Sequence, residues 1–222
     1  MVITIDGAAG VGKTTTARKL AKKLGYQYFD TGAMYRAVTF FFLAEKVNIN
    51  LGSKVKESLK AMNLQIDFLS GSDMIILLDG KDISLKIRNQ EVTSHVSAVS
   101  ALKEVRQMMV SIQRSITEKG NFIVEGRDIG SVVFPDAKYK FYLTADYNVR
   151  AKRRLVDFEK INEAKNINII KKDLIARDKY DSNRKLSPLI KPDGAIIIDT
   201  SECSFDEQVN QILKQIEKKN ER

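Results

Sequence analysis

The residues best suited to chemistry lie in one run, Gly7-Ala8-Ala9-Gly10-Val11-Gly12-Lys13-Thr14, directly behind Val2-Ile3-Thr4-Ile5-Asp6. The pattern is G-x-x-x-x-G-K-[ST], a turn whose backbone amides wrap phosphate oxygens. Glycines let the chain curl so that successive N–H groups point inward. A helix opening behind the turn adds its positive dipole end. Lys13 is placed to reach the β- and γ-phosphates of a triphosphate, and the Thr14 hydroxyl to join the shell of a Mg²⁺ ion. A glycine turn without a ligand would not need Lys and Thr at those places. Thr15 completes the nucleotide-binding run assigned here, Gly7 to Thr15.

A single loop of this kind serves a GTPase, an ATPase or a small-molecule kinase. Switch GTPases read guanine through an Asn-Lys-x-Asp stretch, and this chain has none. It carries instead arginines beside small polar or acidic residues at four separated places: Asp30 to Arg36, Arg88 to Glu91, Glu125-Gly126-Arg127-Asp128, and Arg177 to Arg184. Each joins a bidentate cation suited to phosphate with an acceptor suited to sugar hydroxyls or a base amine. Arg177, Asp181 and Arg184 recur at spacings of four and three, so a helix would put them on one face. Arg150, Arg153 and Arg154 add a basic patch on another predicted helix. Two such helices joined by the polar Asn162–Asn168 stretch read as a lid that closes on triphosphate and excludes water.

Elements that could position these residues are legible as alternating runs. Val2 to Ile5, Phe122 to Val124, Tyr139 to Leu143 and Ala195 to Ile198 read as buried strands, and Tyr28-Phe29 supplies a fifth. Ala17, Leu20, Ala21 and Leu24 form a helical stripe stopped by Gly25. Val96, Val99, Leu102, Val105 and Met109 form a second, longer stripe. Strands alternating with helices predict an α/β fold with a parallel sheet covered on both faces. Arg127 and Asp128 then follow the carboxyl end of a strand, the edge where such sheets bind ligands, and face the same crevice as Lys13. From Leu64 to Ile83 the pattern becomes strand–turn–strand, with Ser70-Gly71-Ser72-Asp73 as one turn and Asp79-Gly80-Lys81-Asp82 as another, which predicts a small β subdomain.

Bulk properties narrow the classes. The chain has 222 residues, 43% of them hydrophobic, enough for one well-buried core with a small insert. Lys and Arg outnumber Asp and Glu by 37 to 28, a net charge of +9 that suits phosphorylated ligands, nucleic acid or anionic lipid. Lysines such as Lys22, Lys23, Lys214, Lys218 and Lys219 fall on helix-like stretches and read as solvated faces. No basic run is interleaved with stacking aromatics, so nucleic acid is not the expected partner. Cys203 is the single cysteine, which excludes an intrachain disulfide. Asp6 within the first strand argues against a signal peptide. The longest apolar run, Val38 to Ala44, is too short for a bilayer, so no membrane association is expected. A soluble, cytoplasmic protein fits these properties. His95, flanked by Ser94 and Val96, is read as structural.

The motifs together resemble bacterial cytidylate kinases from Val2 to about Ser201. They occur in that family's order: Ile-Asp-Gly-x-x-Gly-x-Gly-Lys, Asp-[ST]-Gly-Ala-x-Tyr-Arg, Ile-Arg-x-Gln-Glu-Val, Gly-Arg-Asp-x-Gly-x-Val-Val-Phe-Pro-x-Ala and Arg-Asp-x-x-Asp-x-x-Arg-x-x-x-Pro-Leu. The resemblance implies a three-layer P-loop fold of the nucleoside monophosphate kinase type, with a five-stranded parallel core sheet flanked by helices. It divides the single domain into a core (1–62, 88–149 and 185–222), a CMP-binding insert (about 63–87) and a short helical lid (about 150–184). It implies an activity, ATP·Mg²⁺ phosphorylating CMP and dCMP in pyrimidine nucleotide metabolism, by a monomer. Roles follow by match. Thr31 lies near the substrate. Arg36 and Arg127 hold the CMP phosphate, and Ser97, Arg106 and Asp128 read the cytosine. Arg177 and Asp181 sit at the pentose, and Arg184 sits beside the transferring phosphoryl group. Arg153 joins the ATP-binding set, and Lys13, Arg127 and Arg184 form the catalytic set. Lys179 and Tyr180 occupy variable lid positions, where some relatives carry additional charge.

Cytosine chemistry suits those base-reading residues. A carboxylate and a hydroxyl can accept from the N4 amine, while an arginine donates to N3 and O2; uracil reverses the pattern at positions 3 and 4. Three other readings compete: a kinase of another acceptor such as UMP or shikimate, a basic nucleic-acid binder, and a nucleotide-switched regulator.

Overall fold

The computed structural model describes residues 1–69, 74–160 and 164–220. Its core is a five-stranded sheet of β1 (Val2–Gly7), β2 (Gln27–Asp30), β6 (Phe122–Gly126), β7 (Tyr139–Thr144) and β8 (Ile196–Asp199). The order across the sheet is β2-β6-β1-β7-β8, and every neighbouring pair is parallel. The central position of β1 explains its sequence: with strands on both sides and helices on both faces, five of its six residues are buried. Between β6 and β7 the chain crosses from one side of β1 to the other, which opens a crevice beyond the carboxyl end of β1.

Two apolar clusters cover the two faces. On one, Ala17, Leu20 and Ala21 of α1 (Lys13–Leu24) pack with Val209, Ile212 and Ile216 of α8 (Phe205–Asn220) over Ile3, Ile5 and Phe141. The predicted stop at Gly25 is met, with the glycine in the left-handed region at φ 67°. On the other face lie α2 (Thr31–Ala44), α3 (Gly52–Ala61), α4 (Gln90–Val99) and α5 (Lys103–Thr117). The second long stripe therefore spans two helices. Leu102 is extended at φ −68°, ψ 130°, and the break leaves the Ser100 carbonyl to accept from Arg106 Nη1 at 3.3 Å.

The predicted strand–turn–strand stretch is observed as an antiparallel pair, β3 (Leu64–Phe68) and β4 (Met74–Leu78), with a short β5 (Lys81–Asp82) beside it. The predicted Ser70–Asp73 turn lies outside the described residues. Phe68 anchors the hairpin by edge-on contacts to Phe29 and Phe122, at centroid distances of 5.7 and 5.3 Å.

The two helices read from sequence as a lid are α6 (Tyr147–Glu159) and α7 (Ile167–Ser182); part of the polar stretch joining them is not among the described residues. Ala151, Ile170 and Leu174 form their shared apolar contact, against which Ala9 of the glycine turn packs. Arg184 lies beyond the last residue of α7, so it does not share a helix face with Arg177 and Asp181. Among the described residues, no helix is long and apolar enough to cross a membrane, and no cluster of His, Cys, Asp or Glu could hold a metal ion.

Candidate active site

A cleft of about 490 Å³ opens at the carboxyl ends of β1, β2 and β6. Its floor is the glycine turn. Gly10 and Gly12 have φ of 78° and 94°, a region L side chains rarely adopt, and a Cβ on Gly12 would sit 3.1 Å from Phe205 Cε1. Lys13 follows at the start of α1, where its ammonium donates to the Ala8 carbonyl at 2.6 Å. Burial, reinforced by Arg127, draws that ammonium down to about 7. A cation held out of water among other cations is set to gain from an anion.

Thr14 stands beside Lys13, its hydroxyl donating to Glu125 at the end of β6. Tyr28 also donates to this buried carboxylate, and burial followed by the nearby Asp30 charge raises its pKa. Glu125 was given no role of its own from sequence, although an acid ending the strand beside β1 was the available signal. The hydroxyl and carboxylate oxygens of Thr14 and Glu125 are hard donors of the type Mg²⁺ takes. Arg153 lies at the donor end, donating to Thr200 Oγ1 at 3.0 Å and Thr200 O at 2.6 Å over the Phe205 ring at 5.7 Å.

The opposite wall is made of guanidinium groups. Arg36, from α2, donates to Thr93 Oγ1 at 2.8 Å, and burial lowers it to about 10. Arg127 donates to the Gly7 carbonyl and to Asp181 Oδ2, both at 3.1 Å. Asp181, 1% exposed, also pairs with Arg184 and so binds two of the predicted cations in one frame. Arg177 is lowered to about 9 by burial and then by Arg127, and its Nε has no hydrogen-bond partner among the described residues. Thr31 Oγ1 donates to the Glu125 carbonyl at 2.7 Å, where α2 begins. Arg88 reaches Asp30 Oδ2 at 3.2 Å; of the insert's described residues none lines the cleft, so Arg88 is the point where that region meets it.

Behind this wall, Asp128 pairs with Arg106, whose guanidinium lies 5.4 Å from the Tyr35 ring centroid. Burial raises the Asp128 carboxyl although Arg106 and Arg184 pull it down. Asp6 holds the segment from below, its carboxylate accepting from the Ile129 and Gly130 amides at 2.7 Å each. Those two bonds secure a π-helical turn over Ile129–Val133 and with it the Arg127-Asp128 entry.

Ser97 is half-buried on α4, one residue after Val96 and three before Ser100, both of which line the cleft. Arg150, read as part of a cationic patch facing triphosphate, turns inward and ties α6 to its neighbours instead. It donates to the Ala9 carbonyl at 2.7 Å and pairs with Asp178 at 2.7 Å. His95 faces solvent, with Nδ1 2.8 Å from the Glu91 carbonyl.

Fold and site together define a P-loop nucleotide kinase: an amide cradle and its lysine at one end of a cleft, a guanidinium ring at the other. The cytidylate kinase family model matches residues 3–218, and the chain belongs to that family. It is 41% identical to the cytidylate kinase of Caldanaerobacter subterraneus subsp. tengcongensis, over 97% of this chain and 94% of that one. To the cytidylate kinase of Clostridioides difficile it is 44% identical, over 97% and 98%. A crystal structure of an uncharacterized protein from Eubacterium ventriosum shares the fold at a TM-score of 0.52 and 12% identity, covering 98% of each chain.

Proposed function

We propose that the protein transfers the γ-phosphoryl group of ATP to a phosphate oxygen of CMP or dCMP, with Mg²⁺ bound beside Thr14 and Glu125. The bond from Pγ to the β–γ bridging oxygen breaks, a bond from Pγ to the acceptor oxygen forms, and ADP leaves with CDP or dCDP. The acceptor is already an oxyanion, so the reaction needs no protein base; alignment and charge neutralisation carry it. When bound, Mg²⁺ supplies charge neutralisation at the phosphate oxygens.

The observation that carries this reading is the half-buried Arg36–Arg127–Arg177–Arg184 wall, set opposite Lys13 and backed by the Arg106–Asp128 pair. On this reading the wall holds the acceptor's phosphate and pentose. Arg106 and Asp128 read its base, and Arg153 with Phe205 supports the donor base. The same reading takes the protein to be a monomer acting on free nucleotides in the cytoplasm. A coupled assay over CMP, dCMP, UMP, AMP and shikimate tests the reading. CMP and dCMP should turn over fastest, and equal or faster turnover of UMP would refute the cytosine assignment.

A further inference from the structure

Just beyond the lid, Ser187 adopts φ 52°. Among the described residues only Lys46 and Asp79 share this left-handed backbone without being glycine, and both lie in exposed turns. Ser187 is half-buried and points inward. Its hydroxyl accepts from Arg106 Nε at 2.9 Å and hydrogen-bonds the Asp128 carboxylate. Only a group that both accepts and donates can serve an arginine and a carboxylate at once, and a hydroxyl does so. The backbone is held on the far side, where the Leu189 amide donates to the Asp181 carbonyl at 2.9 Å. A strained residue persists where its surroundings over-determine it.

We propose that Ser187 is a positioning residue for base discrimination, holding Asp128 as an acceptor and Arg106 as a donor toward the pyrimidine edge. This deepens the reading above and rests on it. A hydroxyl donating to a buried carboxylate favours the ionised form. Ionised, Asp128 accepts only, as the cytosine amine requires; protonated, it would donate, as uracil O4 requires. The groups facing Asp128 are Arg106 from α5, Tyr35 from α2, Asp6 from β1, Arg184 after α7 and the adjacent Arg127. All of them stay in place when the hydroxyl is removed. Ser187 also lies three residues beyond Arg184, so one short segment joins the phosphoryl end of the site to its base end.

Two variants separate hydroxyl from backbone. Ser187→Ala deletes the hydroxyl and keeps the left-handed strain; Ser187→Gly deletes it and relieves the strain. Steady-state kinetics with CMP and UMP should show the CMP-to-UMP ratio of kcat/KM falling about tenfold in both. The acid limb of the CMP profile should move to higher pH, because Asp128 would take up its proton earlier on the way down. An unchanged ratio or an unmoved acid limb in either variant overturns the proposal while the wild-type preference for CMP stands. Wild-type protein with no preference for CMP overturns the parent reading and this proposal together.

Discussion

The donor side of the cleft is built from consecutive backbone amides, whereas the acceptor side is built from side chains carried by α2, β6 and the end of α7. The first needs only a curled turn, and Gly10 and Gly12 supply the backbone angles for it. The second gathers Arg36, Arg127, Arg177 and Arg184 against their mutual repulsion, with Asp181 and Thr93 as the main protein partners. An amide cradle is neutral and stable without its ligand. A cluster of buried guanidinium groups is not, so the acceptor side holds unfavourable free energy that a phosphate relieves.

Lys13 stands where the two sides meet, and its replacement should have the largest effect. Lys13→Met keeps the stem and removes the charge. Steady-state turnover with CMP should fall at least about 10²-fold, the scale of losing one fixed donor at a developing charge. Stability should change in the opposite sense. The folded-state pKa, about 7, lies well below the ordinary lysine value of 10.5. The wild-type protein therefore bears the burial penalty fully below about pH 7 and sheds it as pH rises toward 10.5. Ligand-free Lys13→Met should melt at or above the wild-type temperature at pH 7, and the gap should close at higher pH. A gap that widens with pH would mean Lys13 is a structural cation rather than one waiting for phosphate.

The acceptor side predicts a smaller, separable effect. CMP at about a hundred times its Kd should stabilise the wild type by about 2.7 kcal/mol. For a chain of this size that is a rise of about 5–10 °C in melting temperature. Arg177→Leu should lose most of this rise, and its ligand-free melting temperature should not drop, because a buried cation without an Nε partner has been removed. Scanning calorimetry with and without CMP reads both quantities. A ligand-free variant several degrees less stable, with the CMP shift intact, would reverse the comparison.

The same contrast explains what the sequence made legible. The donor cradle occupies eight contiguous residues, so spacing alone exposes it, as it does the buried β1 that feeds it. The acceptor side depends on contacts between residues 54 and 120 positions apart, such as Arg127 with Asp181 and with the Gly7 carbonyl. Spacing cannot show that Asp181 serves two arginines, or that Arg150 turns to the Ala9 carbonyl rather than to a ligand. The long stripe ending at Met109 hid its break because burial continues across it: Val96, Val99, Val105 and Met109 all stay buried in two helices. Motif matching named Arg106 and Asp128, which pair in the structure. It did not reveal Ser187, whose role depends on a backbone angle that a sequence pattern does not carry.

The smallest expected effect tests whether side chains matter at all on the donor side. Arg153 gives two of its five N–H donors to Thr200, and its guanidinium lies over the Phe205 ring. A base stacking there gains only a cation–π contact, about 0.5–1 kcal/mol at a partly exposed site. Arg153→Ala should therefore raise the KM for ATP by about two- to five-fold and leave kcat and the KM for CMP near wild type, since the amides and Lys13 still hold the triphosphate. A change in kcat comparable to that of Lys13→Met would show that the cradle does not stand alone. The contrast between a backbone-built donor side and a side-chain-built acceptor side would then fail.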